Sequence, residues 1–114
     1  MTPVPAIPEH CTPCRGGDPP LDEAQARAWA AHVPAWDLAE ARLSRSFELS
    51  DFRAALAWAN RVGMLAEQEQ HHPDIRITGW NRIELVLWTH AVGGLHPNDF
   101  VLARGIDALW ARRG

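Results

Sequence analysis

The run Arg82-Ile83-Glu84-Leu85-Val86-Leu87-Trp88-Thr89-His90 decides the fold. On an extended chain Ile83, Leu85 and Leu87 share one face, while Glu84, Val86, Trp88 and His90 share the other. An all-aliphatic face backed by a mixed one is the mark of a strand in a sheet covered on one side only. Working toward the N-terminus, Gly79-Trp80-Asn81 supplies a turn or bulge, and Ile75 and Ile77 alternate with Asp74, Arg76 and Thr78 in a preceding strand. Pro73 ends whatever helix comes before it, because the residue ahead of a proline is pushed out of the helical region. That helix is predicted from a cap at Ser50 or Asp51 to about residue 70. Phe52, Leu56, Ala59 and Gly63 mark one stripe on it, and Ala55, Trp58, Val62 and Leu65 widen the stripe toward the core.

Residues 36–39 and 43–49 read as a strand pair around Glu40-Ala41-Arg42, with Arg45 at a rim. A short first helix, 23–31, rests on Leu21, Ala28 and Trp29 and is closed by Pro34. Downstream of the deciding strand, Gly93-Gly94 breaks the chain and Pro97-Asn98 opens a last helix over 99–112. The order is helix, two strands, helix, two strands, helix. It predicts an α+β fold, a four-stranded antiparallel sheet with three helices packed on one face. Residues 21–114 form a single domain. Residues 1–20 hold six of the nine prolines and the pair Gly16-Gly17, so they are expected to be an irregular, partly mobile arm.

Composition narrows the function. A chain of 114 residues holds one modest core. A net charge of −3 gives no basic face for nucleic acid. No stretch is long and apolar enough to span a membrane. Residues 1–8 lack the basic and apolar regions of an export signal, so the expected location is cytoplasmic. Cys11 and Cys14, preceded by His10, make a CxxC in a turn-rich setting. With too few neighbouring ligands for structural zinc and no βαβ context, a reduced pair or adventitious metal binding is expected of it.

The chemistry rests on histidines. His71 and His72 precede Pro73, His90 ends the deciding strand, Glu67 lies one helical turn before the pair, and Asp99 follows His90. Imidazole both gives and takes protons near neutral pH. Neighbouring side chains diverge, and no histidine pair has i, i+4 spacing, so His71 and His72 do not suit one metal. Glu67 and His71 do stand at i, i+4, where a carboxylate can fix the imidazole tautomer. Asp99 alone is what helix capping and the helix dipole already call for. Trp88 shares the face of His90 and could line a flat ligand.

The frame of Glu67, His71-His72-Pro73, Trp80, His90 and Asp99 resembles the signature of the pterin-4a-carbinolamine dehydratase family. So do Ser46-Phe47-Glu48-Leu49-Ser50-Asp51-Phe52, Trp88-Thr89-His90 with Gly93-Gly94-Leu95, and the Cys11-Thr12-Pro13-Cys14-Arg15-Gly16-Gly17 arm of bacterial members. The resemblance implies a hydro-lyase that dehydrates 4a-hydroxytetrahydropterin to quinonoid dihydropterin during tetrahydrobiopterin recycling. It implies no redox cofactor and no metal. His71 and His90 would transfer protons and His72 would position the pterin. Glu67 would orient His71 or touch the ring, backbone near Trp88 and Thr89 would read the pterin edge, and Asp99 would support the site. The resemblance also implies homodimers or homotetramers, with the uncovered face of the last strand as the place for self-association. The competing reading is a non-enzymatic binding or assembly factor on the same fold, like a transcription cofactor or a rubisco assembly protein.

Overall fold

The structure is a computed structural model that describes residues 6–13 and 18–113. Cys14, and with it the reading of the CxxC pair, lies outside them. Helix α1 (Glu23–Ala30) is followed by β1 (Asp37–Ala39) and β2 (Arg42–Glu48), then α2 (Phe52–Glu69), β3 (Asp74–Thr78), β4 (Arg82–Leu87) and α3 (Pro97–Ala111), with a 3-10 turn at His90–Val92. The four strands form one antiparallel sheet in the order β1-β2-β4-β3. The predicted α+β fold and element order are what the structure shows.

The register explains the one-sided core. Leu43 pairs with Leu87, Arg45 with Leu85 and Phe47 with Ile83 along β2 and β4. Leu43, Phe47, Ile83, Leu85 and Leu87 are all buried, and so are Ala55, Trp58 and Val62 of α2 and Phe100, Leu102 and Ile106 of α3. Phe47, Trp58 and Trp110 form a three-ring cluster with centroids 4.8–5.2 Å apart, an arrangement that favours tilted and edge-on contact. Arg45 is not at a rim. It lies half-buried on the covered face, stacks on Phe47 and pairs with Asp107 of α3, which also accepts from Trp36 Nε1 at 2.8 Å.

Three elements differ from the sequence reading. On α2 the stripe Ala55, Trp58 and Val62 is buried as read, with Ala66 in place of Leu65, but Phe52 and Leu56 of the other stripe face outward with Met64. Ala55 and Ala66 let the helix lie close to the core, which Trp58 and Val62 fill. Strand β4 ends at Leu87 rather than His90. Thr89 instead bridges to Gly94, and Gly93, at φ 71°, lets the chain reverse between them. A Cβ at Gly94 would meet Pro20 Cβ at 2.9 Å, which keeps that position bare. Finally, α3 begins two residues earlier than predicted, at Pro97, capped by His96.

Candidate active site

Four segments bring the chemistry together. Helix α2 ends with Gln70 in the left-handed region at φ 55°, and the His71 N–H bonds back to the Ala66 carbonyl. This folds His71 under the end of the helix, buried, and leaves His72 outside. From the sheet side come Trp88, Thr89 and His90. From α3 come Asn98 and Asp99 in the first turn, and from the arm comes the segment 11–13. Between them lies a cavity of about 530 Å³, lined among others by Thr12, His71, His72, Trp88, Thr89 and His90.

Asp99 is fully buried behind His71 rather than in the cavity wall. Its Oδ1 stands 2.7 Å from His71 Nε2. Its Oδ2 accepts the Thr89 hydroxyl at 2.8 Å and the His96 N–H at 3.0 Å. A carboxylate has no proton to give, so His71 donates through Nε2 and keeps Nδ1 for proton exchange. The helix N-terminus adds its partial positive charge to this carboxylate environment. His96 closes the network as the helix cap: the Asn98 N–H donates to its Nδ1 at 3.0 Å, so its proton resides on Nε2. Burial holds the His96 pKa below its usual value, which keeps it in that neutral form.

The expected pairing of Glu67 with His71 is not made. Glu67 lies 3.6 Å from His72 instead, and both side chains are more than half exposed. The left-handed turn at Gln70 is the reason: it takes His71 off the helical path that i, i+4 spacing assumes. Trp88 is held in place by Asp74, which accepts from its Nε1 at 3.3 Å, and by the Arg42 guanidinium 4.5 Å from its ring centre. The His90 ring lies 3.7 Å from that of Trp88, centroid to centroid. Trp80 sits exposed at the tip of the β3–β4 hairpin, outside the cavity.

Sequence reasoning missed Asn98 and the arm. Glu69 accepts the Cys11 N–H at 2.8 Å and His10 Nδ1–H at 2.9 Å. These donors hold the Glu69 carboxyl below its usual pKa, and Glu69 in turn raises that of His10. Asn98 accepts the Thr12 N–H at 2.9 Å and donates to the Thr12 carbonyl at 2.6 Å. The only sequence signal at Asn98 is its place beside Pro97, which speaks of capping. No cluster of three or more metal-binding side chains occurs among the described residues, and none of their helices is long and apolar enough to cross a membrane.

A family model described as pterin 4 alpha carbinolamine dehydratase matches residues 19–109, leaving the arm segment before it outside the match. A relative from Methylococcus capsulatus, named "Putative pterin-4-alpha-carbinolamine dehydratase", is 46% identical over 105 residues, which cover 90% of this chain and 91% of that one. A relative of the same name from Rubrobacter xylanophilus is 45% identical over 102 residues, 89% of this chain and 94% of that one. Among solved structures, a chain described as a transcriptional coactivator/pterin dehydratase from Brucella melitensis superposes with a TM-score of 0.71 at 26% identity, covering 79% of this chain and 97% of that one.

Proposed function

The chain belongs to the pterin 4 alpha carbinolamine dehydratase family, and on that premise we propose that it dehydrates 4a-hydroxytetrahydropterin to quinonoid dihydropterin in tetrahydrobiopterin recycling. In this reaction the C4a–O bond breaks as the N5 lone pair forms a C4a=N5 double bond. The departing hydroxyl takes a proton to leave as water, and N5 loses its own. One acid and one base on either side of C4a and N5 suffice, and positioned groups of this kind contribute about 10²–10⁴-fold each.

The observation that carries the reading is the His71–Asp99 pair at 2.7 Å, set in a cavity that His72 and His90 also line. In the proposed scheme His71 and His90 move the two protons. Asp99 orients His71, as a buried carboxylate orients the imidazole of a catalytic triad. His72 positions the pterin with Glu67 beside it, and the Trp88 ring and the Thr89 backbone border the bound ring. The chemistry asks for no metal or redox cofactor. Self-association into dimers or tetramers belongs to the same proposal. The outward Phe52, Leu56 and Met64 of α2 offer it an apolar surface in addition to the uncovered sheet face.

The test is dehydration of freshly generated 4a-hydroxytetrahydropterin, followed by ultraviolet absorbance. Turnover is expected to persist with a chelator present and to fall by about 10²–10⁴-fold in His71→Ala and in His90→Ala. His32→Ala, at an exposed site away from the cavity, is expected to match the wild type. Equal losses in all three variants would sink the scheme. A folded chain with no activity would move the reading to a binding role of the kind included in the Brucella protein's description.

A further inference from the structure

The segment Ile7–Pro13 has no helix or strand, yet it is clamped to the body at successive points. The guanidinium of Arg104 on α3 donates to the Ile7 carbonyl at 2.8 Å and to that of Pro8. Glu69, at the end of α2, holds His10 and the Cys11 N–H. Asn98, itself buried, takes both backbone groups of Thr12 in one side chain. Ile7 is tucked into the core cluster. Backbone polar groups that secondary structure would ordinarily pair are here met by side chains from two helices, so the path of the segment is specified and not incidental.

That path ends at the cavity. Cys11, Thr12 and Pro13 line it together with His71, His72 and His90. The two clamps nearest the chemistry come from residues adjoining it in sequence: Asn98 precedes Asp99, and Glu69 stands two residues before His71. We infer that the arm is a substrate-binding element, with Cys11, Thr12 and Pro13 forming a wall of the pterin site held in register by Asn98, Glu69 and Arg104. This inference rests on the dehydratase reading and adds to it residues that lie outside the family match. The wall contacts substrate and transition state alike, so it sets KM more than kcat.

Arg104→Ala and Asn98→Ala in the full chain separate this from a purely structural clip. Both variants are expected to speed amide hydrogen exchange at Cys11 and Thr12, whose N–H groups the clamps protect. Arg104, away from the cavity, is the cleaner probe: its KM for the carbinolamine rises about threefold while kcat stays within about twofold of wild type. Asn98→Ala raises KM by about tenfold, and kcat changes less than KM. Binding of the product-like 7,8-dihydropterin, measured by calorimetry, weakens in parallel. Faster exchange with unchanged KM and unchanged dihydropterin affinity overturns the wall, and unchanged exchange overturns the clamp. A wild-type chain that neither turns over nor binds a pterin overturns the dehydratase reading, and the arm's role falls with it. An active wild type with indifferent variants sinks the arm's role alone.

Discussion

Asp99 serves two structures with one carboxylate, because the same side chain that meets His71 also closes the first turn of α3. Asp99→Asn would keep an oxygen for Thr89 and His96 but turn an amide N–H toward His71 Nε2. That forces the opposite tautomer, with the proton on Nδ1, and kcat is expected to fall by about two to four orders of magnitude while the fold persists. Circular dichroism beside steady-state rates checks both halves. Thr89→Val removes a hydroxyl from Asp99 Oδ2 without changing shape much, and urea unfolding should register a loss of about 1–3 kcal/mol. Glu67, His71 and Asp99 were all legible in the sequence as candidates, but their pairing was not. Helical spacing assigns His71 to Glu67, whereas its partner lies 28 positions away and can be known only once the helix end at Gln70 is seen to turn left-handed.

Elements were read well where punctuation is local. Pro73, Gly93-Gly94 and Pro97 stop or start elements close to where the alternation of apolar residues says they should. The outward face of α2 was harder, since Phe52 and Leu56 outrank Ala55 and Ala66 in hydrophobicity but not in burial. The β1–β2 hairpin holds Glu40 at φ 53° and Ala41 at φ 58°, both in the left-handed region without glycine or asparagine. Replacing the pair by Asn-Gly, which suits a two-residue turn of that kind, is expected to stabilise the fold by about 1–2 kcal/mol in urea titration. The arm is expected to respond to pH. Glu69, its pKa lowered by the Cys11 N–H and by His10, adds stability above its unfolded value of 4.5 and loses it as pH falls through the lower folded value. His10, its pKa raised by Glu69, adds stability below 6.5 and loses it as pH rises through the higher folded value; Glu9 reinforces the shift and Arg104 opposes it. Protection of the Cys11 amide, corrected for intrinsic exchange, should therefore be greatest between about pH 4.5 and 6.5. A flat profile would show that the ion pair does not hold the arm.

At the scale of the molecule, the covered sheet face and the two long helices make a single core with Leu85 fully buried in a central strand. Leu85→Ala should destabilise by about 2–5 kcal/mol, a large share of the roughly 5–15 kcal/mol that holds a domain of this size. Thermal and urea unfolding would both show it. This architecture was readable because β2, β3 and β4 announce themselves by alternation and a long helix with an apolar stripe separates the two hairpins. The cavity was not readable as a whole, since its walls come from the arm, the end of α2, the segment after β4 and the start of α3. Sequence separation conceals such a meeting until the register of the sheet is known.

The double use of Asp99 divides the histidines into two kinds. His72 and His90 stand in or beside solvent, and the fold does not lean on either. His71 is tied through Asp99 to the hydroxyl of Thr89 and the start of α3. A descendant of this chain that abandoned the reaction could shed His72 and His90 freely, whereas losing His71 or Asp99 would break a buried hydrogen bond and cost stability. The histidine that survives such a change would be a fossil of packing, and its presence alone would say nothing about whether the chemistry is still running.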